Sequence, residues 1–220
     1  MSFQVAERFV SINGEGQRAG EPAAFVRFSG CNLRCSWCDT LWAVEEPARE
    51  EMTVSEIIQW VESTGIKNVT LTGGEPMLQK DIRELLVRFS GDPFIRVEVE
   101  TNGAVDLSPY FGISDRISYT VDYKCPGSGM EGFMIGHNFK RLRECDTVKF
   151  VVTDRFDLMR MFEVIEQYRL TEVCKVYVSP VFGRIDPQEI VEELLQRKAN
   201  DVRLQLQLHK LIWNPEERGV

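Results

Sequence analysis

Apolar and polar positions along the chain alternate between two periods. Short runs rich in β-branched and aromatic residues lie at 23–28 (AAFVRF), 69–72 (VTLT), 96–100 (RVEVE), 117–122, 147–152 (TVKFVV), 175–179 (KVYVS) and 203–207, and these predict strands. Between them, residues 54–63, 81–89, 156–168 and 187–197 repeat apolar residues at helical spacing. In the second of these, Ile82, Leu85, Leu86 and Phe89 form one stripe. Thr53 and Glu56 stand where a capping box would start the first helix, and Pro187 sits in the first turn of the last.

Strands alternating with helices predict parallel βα units. A complete eight-fold barrel takes about 250 residues, more than the 220 present. The expectation is therefore an α/β fold, a partial TIM-type barrel of about six parallel strands with flanking helices, or failing that an open parallel sheet. No repeat, linker or low-complexity segment interrupts the chain, so residues 1–220 read as one domain. Residues 31–40, 72–76 and 122–126 all follow strands, where ligand sites collect in such folds.

Composition narrows the partners. Lys and Arg number 26 against 34 Asp and Glu, a net charge of −8, which argues against wrapping a nucleic-acid backbone. No apolar run approaches the roughly 18 residues needed to cross a membrane. The N-terminus does not read as a signal peptide, so a cytoplasmic location is expected. Six cysteines in such a chain point to metal or catalytic thiols rather than disulfides.

Three of those cysteines, Cys31, Cys35 and Cys38, fall within FSGCNLRCSWCDT, residues 28–40. Structural zinc and ordinary cubane clusters both take four protein ligands. Cys125, Cys145 and Cys174 are scattered and read as small buried hydrophobes, while His137 and His209 are distant. Three thiolates would leave one iron of a [4Fe–4S] cluster open to a small molecule; zinc with a distant fourth ligand is the alternative. The CxxxCxxC spacing, with aromatic Trp37 before the last cysteine, resembles the radical S-adenosylmethionine superfamily. Thr72-Gly73-Gly74-Glu75-Pro76 and Glu100-Thr101-Asn102-Gly103 resemble that superfamily's GGEP and ETNG stretches.

Three further stretches are more specific. INGEGQRAGEPAAFVRFSGC at 12–31, CDT at 38–40 and LQLHKLIW at 206–213 resemble the 7-carboxy-7-deazaguanine synthase family, and the resemblance spans essentially the whole chain. It implies a carbon–nitrogen lyase that converts 6-carboxy-5,6,7,8-tetrahydropterin to 7-carboxy-7-deazaguanine and ammonia. The implied route is a radical ring contraction started at C6 by a 5'-deoxyadenosyl radical, and the product feeds queuosine and other deazapurine pathways. The implied cofactors are the [4Fe–4S] cluster, S-adenosylmethionine that is regenerated after each turnover, and Mg2+. The implied partners are a flavodoxin- or ferredoxin-type electron donor and a second copy in a homodimer.

Carried onto this chain, the family pattern places substrate contacts at Ile12, Asn13, Gly14, Glu15, Arg27 and Thr72, with His209 and the carboxylate of Val220 closing over the substrate. Glu15 and His209 are the catalytic candidates. A pterin edge offers donors that a carboxylate can match, and an Arg can grip a substrate carboxylate through two nitrogens. The pattern puts S-adenosylmethionine against Trp37, Cys38, Asp39, Gly74, Glu75, Glu100, Asp122, Tyr123 and Lys124, and magnesium on the Thr40 hydroxyl. Two positions depart from the pattern: Asn13 stands where many members carry Gln, and Asp122-Tyr123-Lys124 where others read SPK. Each residue also has a plainer reading. Arg27 could serve a structural ion pair, Thr40 or Asp39 a helix cap, His209 a core position, and Glu98 and Glu100 buried charge pairs on the barrel's inner face. Two other functions share the cysteine motif: a small activase of glycyl-radical enzymes, which would consume S-adenosylmethionine, and a non-catalytic zinc or cluster module.

Overall fold

The computed structural model describes residues 2–46, 50–215 and 217–220. Seven strands run parallel in one sheet: β2 (Pro22–Phe28), β4 (Asn68–Gly73), β5 (Arg96–Thr101), β6 (Ile117–Tyr123), β7 (Thr147–Val152), β8 (Lys175–Pro180) and β9 (Val202–Leu204). Two more strands extend it antiparallel beyond β2, namely β1 (Phe3–Ile12) and β3 (Glu50–Met52), giving the order β3-β1-β2-β4-β5-β6-β7-β8-β9. The sheet is open. Every strand expected from the sequence forms, within one or two residues except at β9, which ends three residues sooner because residues 205–207 leave the sheet toward the N-terminal loop.

The helices form where their stripes and caps direct. Among them, α1 (Leu41–Glu45), α4 (Gly136–Phe139) and α7 (Leu208–Ile212) are short. The longer α2 (Val54–Thr64) buries Val54, Ile57 and Val61 and starts on the Thr53–Glu56 capping box. The α3 helix (Ile82–Ser90) buries the expected Ile82, Leu85, Leu86 and Phe89. Asp154 and Asp186 cap α5 (Arg155–Tyr168) and α6 (Pro187–Arg197) through their side chains, each satisfying a donor that the first turn leaves free.

Alternation along the parallel strands separates two faces. One is apolar, with Val69, Leu71, Val97, Val99, Val121, Val148, Phe150, Val176 and Val178 packed in the core with the helices' buried stripes. Residues of opposite parity face inward and are polar: Thr70 and Thr72 on β4, Glu98 and Glu100 on β5, Thr120 and Asp122 on β6, and Lys149 on β7. They bond to one another or to the loops that cross them. A closed barrel would fill this space with branched apolar side chains. Here the half-open sheet leaves a polar floor.

Candidate active site

Two loops at the C-terminal end of the sheet are joined backbone to backbone. Gly74 N donates to Phe28 O at 3.0 Å and Glu75 N to Gly30 O at 2.8 Å. Gly73 adopts a φ of +141°, and a Cβ there would collide with the Phe28 backbone. At Gly74 it would fall on the Gly30 carbonyl and within 3.0 Å of Cys31 Cβ. Only glycine permits this approach. Glu75 is fully buried and points away from the cavity described below. It accepts from Thr101 Oγ1 (2.7 Å), Asn102 N (2.7 Å) and Met77 N (3.0 Å), tying the end of β5 to the glycine turn. Burial pushes its carboxyl up to about 7 although these donors pull it down.

Cys31, Cys35 and Cys38 are unpaired, half-buried thiols on the adjoining loop. Burial raises the Cys31 and Cys35 thiols above their ordinary value; around Cys35 the Lys124 ammonium opposes the rise. Binding a metal here would therefore release protons. Among the described residues no three His, Cys, Asp or Glu side chains converge closely enough to hold a single ion. Thiolates that each serve a separate iron corner have no need to converge on one point. One observation fits an organic molecule seated beside such a cluster: the buried indole nitrogen of Trp37, on the same loop, has no hydrogen-bond partner among the described residues.

All three cysteines line a cavity of about 720 Å3, within the usual range for small-molecule sites. Its floor carries a chain of alternating charges. Lys149 Nζ lies 2.7 Å from Glu15 Oε2 and 3.3 Å from Asp122 Oδ1, and Lys124 Nζ lies 2.7 Å from Asp122 Oδ2 and 5.1 Å from the Trp37 ring. Burial alone would push Asp122 up, yet Lys124 and Lys149 hold it below the usual carboxylate range. Nearby, Thr72 donates to Glu100 at 2.7 Å.

The walls come from both ends of the chain. Arg27 uses Nε for Glu7, at 2.8 Å, and among the described residues its two terminal nitrogens have no hydrogen-bond partner. Thr40 precedes α1 without capping it through its hydroxyl, and the hydroxyl lies 3.8 Å from Cys38 Sγ. The α7 helix brings His209 against Gly14, where a Cβ would strike the imidazole. Burial pulls that imidazole down and favours its neutral form, against the opposing pull of Glu15. Lys210 holds Asp39 at 2.9 Å, and Arg218 packs 4.2 Å from the Trp42 ring centroid.

Of the residues singled out from the sequence, this one cavity gathers Ile12, Gly14, Glu15, Arg27, Thr72, His209 and Val220, expected against the substrate. Trp37, Asp39, Thr40, Gly74, Glu100, Asp122 and Lys124, expected against the cofactors, line it with the three cysteines. Three do not line it. Asn13 turns under the N-terminal loop and accepts from Thr70 at 2.7 Å, Glu75 is the brace described above, and Tyr123 faces outward, donating to Glu131 at 2.8 Å. His137 pairs with Asp106 at the surface, and Cys125 and Cys174 are buried in the core. The sequence reading missed Lys149. The available signal was a lone lysine in TVKFVV, a strand whose six residues are all buried.

Glu98 lies under the floor. Oε1 accepts from Thr120 at 2.6 Å, Oε2 has no partner, and burial raises the carboxyl from 4.5 to about 7. An acid whose folded value is raised adds stability that is complete below the unfolded value and is lost as pH climbs through the folded one. Thermal stability should therefore fall by about 2–3 kcal/mol in this group's contribution between pH 4.5 and 7. Glu98→Gln should flatten that part of a Tm-against-pH curve; an unchanged slope would count against it.

Comparison with known proteins agrees with this geometry. Residues 25–117 match the Radical SAM superfamily. A 7-carboxy-7-deazaguanine synthase from Clostridium acetobutylicum is 50% identical over 100% of both chains. One from Leptospira interrogans is 36% identical over 100% of this chain and 99% of its own. The crystal structure of QueE from Escherichia coli superposes with a TM-score of 0.71 at 21% identity, covering 94% of each chain, and shows the same fold. With a cysteine loop, a glycine turn and the loop bearing Glu15 on one cavity, and full-length identity of this order, the chain belongs to the 7-carboxy-7-deazaguanine synthase family of the radical S-adenosylmethionine superfamily.

Proposed function

We infer that this chain is a carbon–nitrogen lyase that converts 6-carboxy-5,6,7,8-tetrahydropterin to 7-carboxy-7-deazaguanine and ammonia by ring contraction. The observation that carries the reading is the single cavity in which the three cysteines, the Gly73-Gly74 turn and the loop bearing Glu15 meet. Cys31, Cys35 and Cys38 would hold a [4Fe–4S] cluster, and Trp37, Gly74 and Lys124 would hold S-adenosylmethionine. Together these cofactors supply one-electron cleavage of a carbon–sulfur bond and hence reactivity at an unactivated carbon, which no side chain here can provide.

The protein's own groups bind and orient. Glu15 presents a carboxylate to the donor edge of the pterin. The free nitrogens of Arg27 grip the substrate carboxylate, and the Thr40 hydroxyl offers an oxygen to Mg2+ beside it. His209, kept neutral by burial, can hold a proton as the contracted ring becomes aromatic. The C-terminal residues around Val220 complete the wall on that side and exclude water. A flavodoxin or ferredoxin is the electron donor this reading calls for, and a homodimer its assembly. Queuosine or a related deazapurine is the end product. No helix among the described residues is long and apolar enough to cross a membrane, which suits a substrate and donor met in the cytoplasm.

Anaerobically reconstituted protein, given S-adenosylmethionine, Mg2+, a reductant and carboxytetrahydropterin, should release 7-carboxy-7-deazaguanine without net loss of S-adenosylmethionine. Stoichiometric 5'-deoxyadenosine with no deazaguanine would overturn the assignment. So would a preparation holding about one zinc and no sulfide.

A further inference from the structure

We propose that Lys149 is a positioning residue for the substrate: its buried ammonium, 2.7 Å from Glu15 Oε2, holds that carboxylate at the point where the donor edge of the incoming ring is read. The proposal rests on the pterin reading above and adds to it a residue outside the family motifs quoted from the sequence.

Glu15 stands on the loop between β1 and β2, and that loop is fixed by bonds that do not involve Lys149. Asn13 accepts from Thr70, and Gly16 exchanges two bonds of 2.9 Å with the Gln205 side chain. Gln17 Nε2 donates to Cys145 O and Thr147 Oγ1, both at 2.9 Å. Four neutral anchors already set the backbone. What Lys149 adds is a charged bond to the Glu15 carboxylate itself.

That charge has much to balance. Glu15 from the loop, Asp122 from β6 and Glu100 from β5 surround the ammonium, with Glu98 beneath and His209 of α7 facing Glu15. Lys124 bonds to Asp122; Arg27 bonds to Glu7 through Nε and bears on Glu100 from farther off, and Arg18 bears on Glu98. Burial would lower Lys149, but the three carboxylates hold it well above its ordinary value, so it remains a cation throughout the working range. Burial raises Glu100, Lys149 opposes the rise, and Glu15 adds to it. Without the lysine, Glu15 would face Glu100 with no cation bonded to it, and repulsion would drive its carboxylate from the position that reads the ring.

The test measures equilibrium binding of 7-carboxy-7-deazaguanine, which does not turn over, to anaerobic holoenzyme. Lys149→Met should weaken binding about 10–100-fold, the worth of a hydrogen bond to a charged group. Lys149→Arg, which keeps the charge and a donor, should stay within a few-fold of the parent. Loss shared by the arginine variant would make Lys149 merely structural and overturn the proposal. Unchanged affinity in Lys149→Met would do the same. If the parent protein itself fails to bind the deazaguanine, the substrate reading falls first and this inference with it.

Discussion

Cys35→Ala protein, purified and reconstituted without oxygen, should come out colourless, with iron falling from about four per chain to near zero and no deazaguanine formed. The reason is ligand count. The three thiols come from one loop, and no other cysteine lines the cavity, so losing one leaves two anchors for a four-iron core. The neighbouring charges cannot substitute: Asp122 is bound to Lys124 and Lys149, and Asp39 to Lys210. Cys174→Ala is the control. That thiol donates to Leu170 O within the core, so its removal should leave iron content and product formation intact at a small cost in stability. Iron retained in Cys35→Ala would mean the cluster is held by a different set of ligands.

The second large effect needs no change of charge or hydrogen-bonding group. Gly74→Ala adds one methyl, which falls on the Gly30 carbonyl oxygen and crowds Cys31 Cβ. Those atoms are backbone, or next to it, and cannot rotate away as a flexible side chain would. The two loops would have to separate, breaking the bonds from Gly74 N to Phe28 O and from Glu75 N to Gly30 O. Overpacking of this kind costs about 1–3 kcal/mol in stability. The catalytic cost should be larger, about 100-fold or more in kcat/KM, because the loop carrying Cys31 moves relative to the sheet. A Tm measurement beside a single-turnover assay separates the two. Full activity in a folded Gly74→Ala protein would show that the close approach is dispensable.

Legibility in the sequence followed the strength of local signals. The capping box at Thr53 and Glu56, the stripe from Ile82 to Phe89 and the proline opening α6 each act within one turn, and each element formed where its residues pointed. The β1 strand was not anticipated. Its second half, from Glu7 to Ile12, contains no fully buried residue, so apolar alternation fades where pairing with β2 continues through backbone bonds. The three residues of β3 are too few to show any period. In the site, motif residues on tight loops were easy to read. Harder were side chains whose direction depends on strand register: Tyr123 turns out and Lys149 turns in although both lie in apolar runs. Their opposite fates follow from the pairing of Asp122 with Lys149 and Tyr123 with Phe150, a non-local fact.

The pair of hydrogen bonds between Gly16 and Gln205 joins positions 189 apart in the chain, and Leu208 N adds a third link to Gly14 O. The loop at 13–17 is thus tethered in two stages as the chain folds. Thr70, Cys145, Thr147 and Lys149 can hold it once the central strands have formed, and residues 205–208 lock it afterwards. Its last tethers come from segments nearly the whole sequence away.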